Sequence, residues 1–222
     1  MNVKLFNGLP LFAMEIDLTN QETGLSCISF VDKPATEIEM LAFDNQEKEL
    51  KFSIQDKQII VAPVMVANKP IYRRNNTIGE HYVVYKPDTI RQMQIKYFQD
   101  NLHHAFTENH DGTPIKNATM FENWLIENEN DKAYTQYGFS IDALPVGSWV
   151  CSIYFGDSKY WNDIIKTGKF GGISLEGLFI YTMNYKKEEE SLDQKILNAL
   201  YSAFEKDLSD EEIIEILKKL NK

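Results

Sequence analysis

Ser174 and Glu176 stand two residues apart in Lys169-Phe170-Gly171-Gly172-Ile173-Ser174-Leu175-Glu176-Gly177, and His110 stands in the polar stretch Glu108-Asn109-His110-Asp111-Gly112. A serine hydroxyl, an imidazole and a carboxylate are the parts of acyl-transfer hydrolysis. The imidazole takes the hydroxyl proton and a third group orients the imidazole. Residues two apart on a strand project to the same side, so Ser174 and Glu176 share a face if this segment is extended. Gly171 and Gly172 ahead of the serine suit close backbone approach and could shape a substrate-binding edge or oxyanion region. On these grounds the third group is open among Glu122, Glu176 and Asp111. Taken singly, the segment reads as a glycine-rich turn into an edge strand, and His110 as a solvated loop side chain. The chemistry requires a fold that brings them together.

Other chemistries fit less well. Gly-x-Ser-x-Gly would need glycine where Glu176 stands, so the strained elbow of an α/β-hydrolase is excluded. No Lys-Ser/Thr follows the glycines, which excludes a phosphate-binding P-loop. Cys151 with a histidine is a rival nucleophile pair, but it alternates with Trp149, Ile153 and Phe155 on what reads as a core face, where a thiol is inert. His103, His104 and His110 lack the i, i+4 pairing of helical zinc sites, and Cys27 and Cys151 are too few for a thiolate site. No metal and no cofactor is expected.

The elements that must position these residues belong to a chain of 222 residues with 43% apolar and 12% aromatic side chains, long enough to bury a core. Lys and Arg number 23 against 33 Asp and Glu, a net charge of −10, with arginine only at 73, 74 and 91. Clustered positive charge is missing, so nucleic acid is not expected as a main ligand. No apolar run reaches membrane-spanning length and the first residues lack a secretory pattern; a cytosolic protein without a membrane partner is expected.

Short strands are predicted at 11–18 and 25–31, separated by turn residues 20–24 and forming a hairpin or a leading arm within 1–46. Residues 44–51 read as a charged connector. A buried strand at 58–67 carries Pro63 at a bulge or edge, and 80–85 is a further strand. Pro87-Asp88 opens a helix in which Asp88 offers a capping oxygen, with Ile90, Met93, Tyr97 and Phe98 at helical spacing up to Asn101. Strands follow at 121–127 and 148–155, then a short helix capped by Asp157 or Ser158 and closed by Gly168, then one long strand at 173–185. Beyond a charged hinge at 186–190, two amphipathic helices are expected, the second opening with the capping box Ser209 and Glu212. The expected division is a strand-rich domain at 1–186 and a helical C-terminal extension at 187–222.

Taken in order, several segments resemble the prohead, or capsid maturation, proteases of tailed phages, a group related to the herpesvirus assemblin-type serine proteases. The resemblance runs through Ile28-Ser29-Phe30-Val31-Asp32-Lys33-Pro34-Ala35, Ala62-Pro63-Val64-Met65 with Pro70-Ile71-Tyr72-Arg73-Arg74, Tyr82-Val83-Val84-Tyr85, and Asn109-His110-Asp111. It continues through Met120-Phe121-Glu122-Asn123-Trp124-Leu125-Ile126, Gly147-Ser148-Trp149-Val150, Trp161, Gly168, and Gly172-Ile173-Ser174-Leu175-Glu176-Gly177. The resemblance implies an α+β, mostly β fold: a partly open antiparallel β-barrel with flanking helices. It implies Ser174 as nucleophile and His110 as general base, with an acidic third member, Glu176 or Glu122, since no histidine follows Ser174. The implied task is cleavage of scaffold and major capsid protein precursors, and of the protease itself, within the assembling prohead in the host cytoplasm, with a homodimer plausible. The alternatives are a non-catalytic capsid-assembly or scaffold-associated protein retaining the protease fold, and, last, a metal-dependent hydrolase using the His103, His104 and His110 region.

Overall fold

A computed structural model describes residues 4–20, 22–34 and 57–182. The chain divides into two units, Met1–Tyr185 and Lys186–Lys222. The charged connector at 44–51 and the expected C-terminal helices lie outside the described residues.

The described residues of the first unit are mostly β, with eleven strands: β1 (Leu5–Phe6), β2 (Leu9–Glu15), β3 (Gly24–Val31), β4 (Ile59–Met65), β5 (Ile71–Asn75), β6 (Gly79–Tyr85), β7 (Phe106–Glu108), β8 (Ala118–Leu125), β9 (Trp149–Phe155), β10 (Gly172–Leu178) and β11 (Ile180–Thr182). Helix α1 (Pro87–Gln99) is the longest described helix; α2 (Lys132–Thr135) and α3 (Ser158–Tyr160) are short, and α3 runs on into a π turn at Trp161–Ile165. The strands form three sheets, none closed into a barrel. One has the order β1-β2-β6-β5, with β11 also on β2; the second is β10-β3-β7; the third is β4-β9-β8. Most pairings are antiparallel, while β2 with β6 and β3 with β7 are parallel.

Three expectations are corrected. Strands β2 and β3 do not form a hairpin. Thr23 Oγ1 donates to the Asp17 carbonyl at 2.7 Å and accepts from Asp17 N at 3.0 Å, pinning a turn that sends β3 to a different sheet. The long strand expected at 173–185 is two strands: β10 pairs with β3, and after Phe179 the chain changes partner so that β11 pairs with β2. Asp88 lies in the first turn of α1 rather than capping it; Lys86 is the cap residue and contributes no side-chain bond, and Pro87 needs no N–H partner there. Elsewhere the local signals hold. Pro63 sits at the register shift of β4 against β9, Asp157 caps α3 by accepting from Lys159 N and Tyr160 N, and Gly168 closes the turn at φ +73°.

Strand β9 is buried on both faces except at Tyr154. Trp149, Cys151, Ile153 and Phe155 point into the main core with Ile60 and Ala62 of β4, while Val150 joins Val61, Ile126, Ala133 and Leu144 in a second cluster behind the sheet. In the main core Phe30 meets Phe106, Phe155 and Phe170 at ring-centroid distances of 6.0, 5.6 and 6.0 Å, tilted or edge-on, the geometry aromatic quadrupoles favour. Phe30 is thus the peg on which β3, β7, β9 and the approach to β10 converge.

Candidate active site

Alternation along β3 builds the platform. Ile28 and Phe30 are buried in the main core, so Cys27, Ser29 and Val31 face the other way. On β10, Ser174 lies directly opposite Ser29 and Glu176 directly opposite Cys27; on β7, Thr107 lies directly opposite Ser29. Directly paired residues share a face with Cβ atoms about 5 Å apart. The three strands therefore present a row, Ser174, Ser29 and Thr107, on one face of the sheet, with Glu176 and Cys27 in the next row.

His110 sits just past β7, in a turn that carries it over this face. Asn109 and His110 both adopt left-handed backbone, φ 44° and 58°. For residues with a Cβ that costs about 1–2 kcal/mol apiece and needs fixed partners. The partners are present: Asn109 N–H donates to the Phe30 carbonyl at 2.8 Å, His110 N–H to Ser29 Oγ at 2.8 Å, and Asp111 N–H to the Glu108 carbonyl at 2.9 Å. The His110 imidazole then meets Glu176, with Nδ1 3.0 Å from Oε1. Both side chains remain partly open to solvent, 41% and 31% exposed.

Burial acts to raise the Glu176 carboxyl, but hydrogen bonds from His110, Cys27 and Thr107 outweigh it and hold the group below its ordinary value. The carboxylate is charged at neutral pH. Cys27, with its sulfur 3.8 Å from Thr107 Oγ1, is pushed the other way, chiefly by burial and also by the Glu176 charge, so it is a thiol and a poor nucleophile. Cys151 is fully buried, its thiol raised by desolvation, which disfavours the rival cysteine pair.

The approach to Ser174 is held from both sides. Gly171 N–H donates to the Val31 carbonyl at 3.0 Å, and a Cβ on Gly171 would stand 2.5 Å from the Asp32 carbonyl oxygen. Gly171 makes a close backbone approach to the chain just past β3, and Gly172 opens β10 opposite Val31. Lys169 Nζ meets Glu108 Oε2 at 3.0 Å, and Tyr160 O–H donates to Glu108 Oε1 at 2.9 Å, tying the glycine-rich segment and α3 to the end of β7. Ser174 Oγ makes no hydrogen bond among the described residues, and Ser174 lines a small pocket with Val64, Met65, Ile71, Arg73 and Tyr85.

Of the acids considered, only Glu176 reaches His110. Glu122 lies on β8 against β9, on the face turned to the second cluster, where Lys132 Nζ donates to Oε1 and Ser152 Oγ donates to Oε2 at 2.6 Å. Burial acts to raise it, and those two bonds more than reverse the shift. Glu122 is a tie between β8, β9 and α2. Asp111 turns its carboxylate to the Thr113 N–H at 2.7 Å, within its own loop. His103 stacks on Phe98, and His104 Nδ1 lies 3.1 Å from Thr119 Oγ1. Among the described residues no group of three or more His, Cys, Asp or Glu side chains converges to hold a metal.

Ser29 and Thr107 were not singled out from the sequence. The signal was there for Ser29, a hydroxyl set between the apolar Ile28 and Phe30, whereas nothing marks Thr107 until β7 is laid beside β3. Comparison with protein-family models, with curated proteins and with solved structures gives no match.

Proposed function

We propose that this protein is a serine endopeptidase, with Ser174 as nucleophile, His110 as general base and Glu176 as the group that orients the base. The observation that carries this reading is the 3.0 Å contact between His110 Nδ1 and Glu176 Oε1, made above the strand face that also bears Ser174. With Nδ1–H bound to the carboxylate, Nε2 keeps the lone pair needed to take the Ser174 proton as Oγ attacks a scissile carbonyl. The same nitrogen then returns the proton to the leaving amine, and Glu176 stabilises the imidazolium between the two steps.

The site lies on β10, an edge of its three-stranded sheet, where an extended peptide can add as a further strand and offer alternate side chains to pockets. That geometry suits a polypeptide substrate better than a small ester. The order of motifs from residues 28 to 177 supports placing the protein with the prohead proteases, in an open variant of their β-barrel. Its substrates would then be scaffold and capsid precursors, and itself, within the assembling prohead. A homodimer is compatible with this role.

The test is labelling of the full-length folded chain with a fluorophosphonate, followed by intact mass and peptide mapping. The expected result is one adduct, on Ser174, lost in Ser174→Ala and slowed about 10²–10⁴-fold in His110→Ala, the range for a general base. Folded wild-type protein that stays unlabelled, alongside capsid precursor left intact, would instead favour a non-catalytic assembly protein.

A further inference from the structure

The His110–Glu176 contact is one edge of a larger closed circuit, and the hydrogen-bond directions in that circuit follow from elementary donor counting. An ionised carboxylate only accepts. Thr107 must therefore give its single proton to Glu176 Oε1, 3.1 Å away. Having spent it, Thr107 Oγ1 can only accept from Ser29 Oγ at 2.8 Å, so the Ser29 hydroxyl donates. Ser29 Oγ in turn accepts the His110 backbone N–H at 2.8 Å, and His110 Nδ1 lies 3.0 Å from Glu176 Oε1, where an Nδ1–H closes the circuit. The opposite sense would aim the Thr107 lone pairs at a negative charge.

We infer that Ser29 and Thr107 are positioning residues for His110, joined with Glu176 in a closed ring of hydrogen bonds whose two arms both run from His110 to the carboxylate, gripping the histidine by its backbone and by its imidazole. Their importance for activity rests on the serine-hydrolase reading above; the ring itself does not. Ser29 is completely buried, so neither end of its hydroxyl has water as a substitute partner. The ring explains why a non-glycine residue holds φ 58° at this point: the strained turn is over-determined by a fixed acceptor below it. It also selects the tautomer, keeping the proton on Nδ1 and leaving Nε2 basic, a choice that a solvated imidazole would not make alone.

Thr107→Val is the discriminating substitution, since it keeps the shape and places a methyl against two oxygens, displacing the carboxylate from Nδ1. The experiment is nitrogen NMR of the histidine side chains in the full-length chain at neutral pH, for wild type, Thr107→Val and Thr107→Ser. Wild type and Thr107→Ser should hold His110 in the Nδ1–H form, and Thr107→Val should shift it substantially to Nε2–H. Fluorophosphonate labelling of Ser174 should slow about ten- to a hundredfold in Thr107→Val and recover in Thr107→Ser, the size expected when a reacting group is misplaced by a fraction of an ångström. In Ser29→Ala the imidazole contact stays, but exchange of the His110 amide with solvent should accelerate at least about tenfold as its buried acceptor is lost. A Thr107→Val protein with unchanged tautomer, or a Ser29→Ala protein with unchanged His110 amide exchange, would overturn the ring. Wild-type protein inert to the probe would sink the hydrolase reading, while the tautomer and exchange measurements would still decide the ring.

Discussion

Glu176 and Glu122 are both strand carboxylates held below their ordinary range by hydrogen bonds, yet they do different work, and their partners tell them apart. Glu122 is neutralised by a lysine and capped by a serine, the signature of a structural tie. Glu176 receives a hydroxyl and an imidazole, partners that leave it a full negative charge beside a titratable base. A carboxyl lowered on folding contributes stability that is present above its unfolded value, near 4.5, and lost as pH falls through the folded value. Wild type should therefore gain stability over Glu176→Gln at neutral pH, and the gap should close as pH drops below 4.5. Urea denaturation midpoints for the two proteins from pH 3 to 7 check this; a gap that widens toward acid would contradict the assignment. The same residues show what the sequence made legible. Ser174, His110 and Glu176 stand out because serine, histidine and glutamate near glycines suggest chemistry. Glu122 looked equally good because a strand pattern does not say which strand lies alongside. Ser29 and Thr107 were silent because a hydroxyl on a strand is ordinary until its neighbour is known.

The strands themselves were largely readable from alternation, and so were the Pro63 bulge, the Asp157 cap and the Gly168 stop, each of which is a local rule obeyed locally. What periodicity could not supply was pairing. Nothing at Phe179 marks a break, so 173–185 read as one strand, although β10 and β11 serve different sheets. Close approach of β10 and β3 is enforced by glycine at both ends of the pairing. A Cβ at Gly177 would collide with the Gly24 carbonyl oxygen, and one at Gly171 would press on that of Asp32. Gly177→Ala should destabilise the protein by about 1–3 kcal/mol, the usual cost of forced overpacking. Because the bulge between Glu176 and Gly177 sets the register of the site, it should also weaken Ser174 labelling more than the stability loss accounts for. Equilibrium unfolding and probe kinetics on one preparation separate the two effects.

Across the whole molecule, the face that carries Ser29 and Thr107 and the main core that holds Ile28 and Phe30 are two sides of one sheet. Phe30 supports the platform from beneath while its backbone carbonyl holds Asn109 and its neighbour Ser29 holds His110. Phe30→Ala should cost about 3–5 kcal/mol, as for other large aromatic truncations in cores. Its loss should appear in both denaturant midpoint and labelling rate, whereas truncating the half-exposed Phe121 on β8 should change neither.

The order of the strands along the chain has a consequence for timing. Ser29, Thr107 and His110 are all made before β10, which carries Ser174 and Glu176 together. While the protein is being synthesised, His110 is present well before either Glu176 or Ser174 has left the ribosome. The two missing parts then arrive on a single strand, in a single pairing step. On the proposed function, such a chain stays harmless to its neighbours until β10 has been made, without a separate inhibitor, and becomes competent only when that strand docks.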